Sequence, residues 1–331
     1  MAGQTVVVTD STACLAPERA AAAGITIVPL QVVVGTESYT EGTTEARNAL
    51  MDALRRRLSA TTSRPSPEQF AAHYRALAES GATGIVSVHI SGELSSTHES
   101  AVLAASSAPI PVEVVDSRSV GMGLGYAALA AAEVAAQGES AAACAAAAAK
   151  RATMTSAFFY VDTLEYLRRG GRIGSAKAFL GSALAVKPLL HLVDGRVEPL
   201  EKVRTAARAI ARLEQVALER AGQDAVDVAV HHLGSVPRAE LLAERLRAQL
   251  SGFQLPGLTP AATPDIAQAA KASAPKTPAF DADVPVASVT LPLVPEYLRS
   301  GGDITVSEVG AVLGAHAGPG LLGVIVSPRL P

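Results

Sequence analysis

Short apolar runs alternate with segments of helical spacing through the first half of the chain. Four of these runs are predicted strands, at residues 6–8, 25–34, 85–90 and 112–115. A helical pattern covers residues 67–80 between them. Strands that alternate with helices predict a mostly parallel sheet covered on both faces. Ligands bind at the carboxyl ends of the strands in such sheets, where this chain places small polar residues.

The second half is also predicted to be α/β, with at least one antiparallel pair. Asp194-Gly195 separates two apolar runs and is a strong signal for a two-residue hairpin. A short helix is predicted at residues 163–170, where Gly170 suits a left-handed stop, and an amphipathic helix is predicted at residues 205–221. Further strands are predicted at residues 227–232, 304–309 and 323–326.

The length of 331 residues allows two ordinary domains. We place the boundary after residue 152, which gives an N-terminal α/β domain at 1–152 with a parallel sheet. The C-terminal α/β domain at 153–331 then has a mixed sheet. Residues 253–280 are rich in Pro, Ala, Thr and Lys without clear periodicity, so a flexible insertion is predicted near 253–303.

Composition narrows the function classes. The net charge of -3 and the absence of Trp argue against a nucleic-acid partner. Two cysteines make neither a disulfide framework nor a metal site, which fits a reducing cytoplasm. The alanine-rich stretch at 127–150 contains several polar residues, so we interpret it as a helix of a soluble protein and expect no stable membrane insertion.

Familiar catalytic motifs are absent from the sequence. No P-loop is present, and the histidines lack the H-E-x-x-H spacing of a metal site. The glycines at 121–125 depart from the dinucleotide-loop spacing. Ser95 does not stand in a G-x-S-x-G elbow. Because triads are not fixed by sequence order, a serine-dependent lipid esterase or acyl transferase using Ser95 and His316 stays as the alternative hypothesis.

Three separated segments contain the hydrogen-bonding groups that an uncharged anion-binding site needs. They are residues 61–65 (TTSRP), 91–97 (SGELSST) and 315–321 (AHAGPGL). Hydroxyls, backbone amides at a helix start and one histidine can bind a small carboxylate without a formal positive charge. Two plainer interpretations stay open: the hydroxyls cap helices, and His316 is a core histidine. Arg172, between glycines, suits either a phosphate or partner contact or a surface salt bridge.

Taken in order, these pieces resemble the DegV family. The resemblance covers about 7–250 and 304–326. Where the family usually has Ser-Gly-Thr-Tyr, this chain has Ser95-Ser96-Thr97-His98, so a side chain stands at Ser96. The matching segments are TDST at 9–12, TSRPS at 62–66, LSST at 94–97, VDSR at 115–118, DTLEYL at 162–167, GGRI at 170–173, VKPL at 186–189 and HAGPG at 316–320.

The resemblance implies a lipid-binding protein rather than an enzyme, with a long-chain fatty acid as ligand between the two domains and no cofactor. It implies that Thr62 and Ser95 hold the carboxylate, with His316 near the headgroup. Ser96, where the family has glycine, is expected to belong to the fatty-acid site and to narrow the headgroup pocket. Some members of the family are the fatty-acid-binding subunit of a bacterial fatty acid kinase. Arg172 would then assist a kinase partner that phosphorylates the bound acid.

Overall fold

The computed structural model describes residues 4–179, 187–250 and 302–330. Apart from its last two residues, the predicted insertion at 253–303 lies outside the described residues. The described chain contains three β-sheets, and the predicted α/β class is confirmed, with a parallel sheet in the N-terminal part and a mixed sheet in the C-terminal part. The predicted domain boundary at residue 152 stays a prediction.

A four-stranded parallel sheet forms the centre of the N-terminal part. Its strands are β1 (Gln4–Asp10), β2 (Ile25–Val28), β6 (Ala82–His89) and β7 (Val112–Asp116), in the order β2-β1-β6-β7. Two separate apolar clusters cover its two faces because neighbouring strand residues point to opposite sides. The surrounding helices are α1 (Pro17–Ala22), α3 (Pro67–Glu79), α4 (Thr97–Ala105), α5 (Met122–Ala136) and α6 (Ala141–Met154).

The alanine-rich stretch forms two helices, so the single helix predicted at 127–150 is wrong. Helix α5 ends at Ala136, and α6 starts at Ala141. The Ser140 hydroxyl accepts a hydrogen bond from the backbone N–H of Ala143, and a capping serine of this kind starts a new helix. Among the described residues, no helix is long and apolar enough to cross a membrane.

A small antiparallel sheet of three strands was missed by the sequence analysis. Its strands are β3 (Gln31–Val34), β4 (Glu37–Thr40) and β5 (Ala60–Ser63), in the order β4-β3-β5, and α2 (Thr44–Arg55) packs on them. The single strand predicted at 25–34 is therefore two strands in different sheets, with Pro29 in the bend. Thr62 lies in β5 rather than at the start of α3, which Ser66 caps through a capping box with Gln69.

A six-stranded mixed sheet forms the C-terminal part. Its order is β10-β9-β8-β13-β11-β12, and only the β11–β12 pair is parallel. The strands are β8 (Ser156–Tyr160), β9 (Lys187–Val193), β10 (Arg196–Val203), β11 (Val226–His232), β12 (Ile304–Glu308) and β13 (Leu322–Pro328). The helices are α7 (Glu165–Arg169), α8 (Ala206–Ala221), α9 (Val236–Leu250) and α10 (Ala311–Ala317).

Two turn predictions can be compared directly with the backbone. The hairpin at Asp194-Gly195 is confirmed, because both residues have positive φ, as the favoured two-residue turn requires. The stop of helix α7 differs from the prediction. Gly170 has φ −72°, and the left-handed residue is Gly171.

The two large sheets face each other across helix α5. Ala229 and Ile325 of the mixed sheet belong to the same apolar cluster as Val7 and Val86 of the parallel sheet. A buried ion pair also joins the two parts, because Nη2 of Arg151 in α6 lies 2.6 Å from Oδ2 of Asp227 in β11. This packing brings one face of the mixed sheet against the carboxyl ends of the parallel strands.

Candidate functional site

A largely apolar cavity lies between the mixed sheet and the N-terminal part. It holds about 910 Å³ of empty space, including that at its open mouth. Both parts of the chain contribute walls, as the resemblance implied. The apolar and glycine lining consists of Leu30, Ile90, Leu94, Val120, Gly121, Ala157, Phe158, Phe159, Leu167, Leu192, Val197, Val309, Val312, Leu313, Ala317, Leu321, Gly323 and Ile325.

Among the described residues, five polar side chains line this cavity: Thr62, Ser95, Arg172, His231 and His316. Three of the four residues predicted to bind the ligand are therefore brought to one cavity, although they lie far apart in the sequence. A pocket with mostly apolar walls and a few polar groups is the usual form of a site for an amphipathic small molecule.

Thr62 and His316 form the best-defined polar contact of the cavity. Strand β5 presents Thr62, helix α10 presents His316, and the hydroxyl oxygen lies 2.9 Å from Nε2 of the imidazole. The other ring nitrogen, Nδ1, is buried without a hydrogen-bond partner among the described residues. A Cβ at position 170 would lie 2.1 Å from Nδ1, so the ring packs closely only because residue 170 is glycine.

His316 is neutral at physiological pH. Burial lowers the pKa of the imidazole to about 4, and the positive charge of Arg172 lowers it further in the same direction. A neutral ring has one donor and one acceptor nitrogen, and the proton position depends on its partners. The interpretation of His316 as an ordinary core histidine does not fit its place in the cavity wall.

Ser95 stands just before helix α4, and its hydroxyl lies 2.8 Å from that of Thr97. No side-chain hydrogen bond caps this helix, so the interpretation of Ser95 or Ser96 as a helix cap is not supported. The first backbone N–H groups of a helix lack partners within it, and uncapped ones attract anions. Ser95 therefore lies in the cavity wall directly before the start of α4.

Ser96 and Arg172 take positions that differ from those expected. The described lining includes Ser95 but not Ser96, so the Ser96 side chain lies outside the cavity wall. Arg172 lies in the wall and makes no salt bridge with the described residues. Its Nε donates to the carbonyl oxygen of Leu94 at 2.9 Å, and its Nη1 donates to that of Gly170 at 2.5 Å. The guanidinium thus joins the N-terminal and C-terminal walls beside His316.

His231 is a cavity residue that the sequence analysis did not assign to the site. Its Nε2 accepts a hydrogen bond from the backbone N–H of Met122 at 3.0 Å, and its Nδ1 lies 3.0 Å from the Ser307 hydroxyl. Burial lowers the pKa of His231 to about 4, so the ring is neutral. His231 and His232 are neighbours in β11 and point to opposite sides of the strand, so the place of the strand in the fold decides that His231 faces the cavity.

The arrangement does not support the hypothesis of a serine nucleophile. His316 pairs with Thr62 and Ser95 pairs with Thr97, so no hydrogen bond joins Ser95 to His316. In the part of the chain that the structure describes, no carboxylate contacts Nδ1 of His316 to orient the ring, as a triad would require. Within the described ranges, no group of three His, Cys, Asp or Glu side chains could hold a metal ion.

Solved structures with the same fold are described as fatty-acid-binding proteins. A DegV family protein from Thermus thermophilus, described by its fatty acid binding, is 29% identical with a TM-score of 0.78, over 98% of this chain and 100% of that one. DegV from Bacillus subtilis, described as a fatty acid binding protein, is 28% identical with a TM-score of 0.76, over 99% and 100%.

The sequence comparisons point to the same family. The family model described as an uncharacterised protein of the DegV family matches residues 4–257. The DegV domain-containing protein SCO2569 of Streptomyces coelicolor is 51% identical over 329 residues, which cover 99% of this chain and 100% of that protein. The expected resemblance is confirmed, and the chain belongs to the DegV family.

Proposed function

We propose that this protein binds one long-chain fatty acid in the cavity between its two parts. The observation that carries the proposal is an apolar cavity with Thr62, Ser95, His316 and Arg172 in its wall. The acyl chain packs against the apolar lining, and the carboxylate meets the hydroxyls of Thr62 and Ser95, the latter directly before the start of α4. The fatty-acid-binding descriptions of the two solved relatives support the same assignment.

The energetics of an acyl chain explain why the walls are so apolar. About 15 methylenes at roughly 0.8 kcal/mol each contribute about 12 kcal/mol when fully buried. Association costs roughly 4–15 kcal/mol, so most of the tail has to be enclosed for binding to be tight. Two or three hydrogen bonds to the carboxylate add roughly 1.5–3 kcal/mol each and set the orientation of the ligand.

The tautomer of the neutral His316 imidazole decides whether the Thr62 hydroxyl donates a hydrogen bond to the ring or to the ligand. When Nε2 carries the proton, it donates to the Thr62 oxygen, and the Thr62 hydroxyl is free to donate to a carboxylate. The opposite tautomer would make Thr62 donate to the ring and present only lone pairs to the ligand. We infer that the bound state uses the Nε2–H tautomer, so His316 acts by orienting Thr62 toward the carboxylate.

Delipidated protein is expected to bind a long-chain fatty acid saturably with a stoichiometry of one. Native mass spectrometry of the protein purified from bacteria should show the added mass of one fatty acid, and isothermal titration should show a negative heat-capacity change from apolar burial. A short-chain acid such as butyrate serves as the control, since it carries the same carboxylate without the tail. Absence of saturable binding for every long-chain acid would end this proposal.

Arg172→Ala is expected to weaken fatty acid binding roughly tenfold, because a hydrogen bond to a charged group is worth about 1.5 kcal/mol or more. The guanidinium lies in the cavity wall beside His316 and retains N–H groups beyond its two backbone bonds. Arg169→Ala is the matched control, since Arg169 is exposed and pairs with Glu165. Affinity titrations at low and high salt measure the effect.

The Arg172→Ala variant also tests whether Arg172 contacts the proposed kinase partner. If Arg172→Ala bound fatty acid normally but supported less acyl-phosphate formation with a fatty acid kinase, the guanidinium would serve the partner rather than the ligand. The incomplete burial of Arg172 supports a carboxylate that a kinase can reach. A cytoplasmic location, where such a kinase would act, is part of this proposal and is supported by the two unpaired cysteines.

A further inference from the structure

Glu41 is a buried carboxylate outside the cavity that is bonded to both of its walls. The residue follows β4 and is only 6% exposed. Its backbone N–H donates to the carbonyl oxygen of Leu30 at 2.9 Å, and its Oε2 accepts from the backbone N–H of Val312 at 2.8 Å. Leu30 and Val312 both line the cavity, one from each part of the chain. Glu41 therefore connects the two walls at the level of the backbone.

Neighbouring residues pack tightly against the carboxyl group of Glu41. A Cβ at position 310 would lie 1.8 Å from Oε1, so Gly310 leaves the space that the carboxyl group fills. Oε1 is buried and has no hydrogen-bond partner among the described residues. A buried carboxyl oxygen without a partner is costly, and a residue retained at such a cost points to a role beyond packing.

Helix α10 is held at both ends by the small three-stranded sheet. Glu41, after β4, accepts from the first turn of the helix, and Thr62 of β5 contacts His316 in the last turn. Between them, Gly314 packs against Leu50 of α2. Because α10 spans only seven residues, the position of its start determines where His316 meets Thr62.

We propose that Glu41 is a positioning residue for the carboxylate site, fixing the start of α10 so that His316 and Thr62 meet at the cavity wall. The proposal deepens the fatty-acid-binding function above and rests on it. Glu41 contacts no ligand atom in this scheme, and its effect passes through α10 and His316.

The protonation state of Glu41 changes near neutral pH. Burial raises the pKa of this carboxyl from its usual 4.5 to about 7, the N–H groups of Val312 and Ala311 oppose the rise, and the charge of Asp10 adds to it. Cys14 is the other titratable group facing Glu41, and burial raises the pKa of its thiol to about 12, outside this range. His316, at about 4, also lies outside it.

The raised pKa of Glu41 determines whether the folded protein gains or loses stability as pH rises. The folded protein holds a proton on Glu41 that the unfolded chain releases, so stability falls as pH rises from about 4.5 through 7. Above pH 7 the ionised carboxylate is the stronger acceptor for the amides of α10, yet it destabilises the fold. A purely structural site would therefore be better served by glutamine.

The affinity test compares Glu41→Gln with the exposed neighbour variant Glu37→Gln. At pH 8, Glu41→Gln is expected to be at least as thermally stable as the wild type without ligand, yet to bind palmitate roughly tenfold more weakly, because a displaced Thr62–His316 pair loses about one charged hydrogen bond to the carboxylate. At pH 6 the difference is expected to disappear, because the wild-type carboxyl is then protonated. In a His316→Ala background, Glu41→Gln should change affinity by less than about twofold.

A ligand-free measurement separates failure of this inference from failure of the proposed function. The imidazole NMR signals of His316 in delipidated protein should shift in Glu41→Gln and stay unchanged in Glu37→Gln. If wild-type protein bound no fatty acid, the proposed function would fail and these signals would still decide the role of Glu41. Unchanged signals, or equal losses of affinity with and without His316, would overturn the role assigned to Glu41.

Discussion

Gly323→Leu is expected to lower the affinity for a long-chain fatty acid by roughly a hundredfold, because the leucine displaces about four methylenes at about 0.8 kcal/mol each. Gly323 lies in β13 on the same face as Leu321 and Ile325, and all three line the cavity. Leu322 and Val324, on the other face, belong to a separate apolar cluster. A side chain at position 323 therefore extends into the space of the acyl chain.

The folded protein should tolerate this change, which makes the loss specific to binding. A Cβ at position 323 would lie 3.5 Å from its nearest neighbours, which are ordinary contacts. Glycine inside a strand is also unfavourable, so the unfolding temperature without ligand is expected to stay level or to rise. Gly323→Ala gives a graded control with a smaller loss. Normal titration curves for Gly323→Leu would show that the tail lies elsewhere.

Ser95→Ala and Thr62→Ala are each expected to weaken binding roughly tenfold to a hundredfold, since each removes a hydrogen bond of about 1.5–3 kcal/mol to a charged group. Both side chains are half-buried in the cavity wall. Neither supports a helix cap or a core contact, so unfolding temperatures without ligand should change little. Direct titration and thermal unfolding of delipidated protein measure the two quantities separately.

Each of these variants has a matched neighbour. Thr61→Ala changes an exposed threonine of the same strand β5 and is expected to leave affinity unchanged. Ser96→Ala tests the earlier expectation for Ser96, and we now expect an effect within about twofold because its side chain lies outside the cavity wall. Strong unfolding of Ser95→Ala or Thr62→Ala, with normal affinity in the folded fraction, would assign their hydroxyls to the fold alone.

The fold class was predictable because long, regular apolar patterns report it. Residues 85–90 read as a buried strand, and they lie within β6 (Ala82–His89) apart from the last residue. The hairpin at Asp194-Gly195 followed from the local chemistry of two residues. The small sheet was missed because its strands span four residues each, and β5 is mostly polar and partly exposed. β3 and β4 form a local hairpin, but the third strand, β5, pairs with β3 from a distant part of the chain, and local patterns do not encode such pairing.

The site was predictable in part, for a related reason. Thr62, Ser95 and His316 stood in turn-like segments with unusual residues, so they could be singled out before their positions were known. His231 and Glu41 stood in ordinary surroundings, and their roles arise from sheet register and from the packing of α10. The glycines around Arg172 singled it out for a phosphate or partner contact or a surface salt bridge, and its place in the cavity wall depends on the contact with Leu94, which the sequence does not show.

The position of β13 has a consequence for the order in which the protein is made. This strand lies between β8 and β11, although it is synthesised after both, and it follows α10 directly. β13 forms the floor of the cavity, to which it contributes Gly323 and Ile325. Until residues 322–328 have emerged from the ribosome, this floor is missing. The strands β8 to β10 also cannot join β11 and β12 in one sheet. A nascent chain therefore cannot capture a fatty acid at the site, and premature termination before α10 would remove the floor, one wall and His316 together.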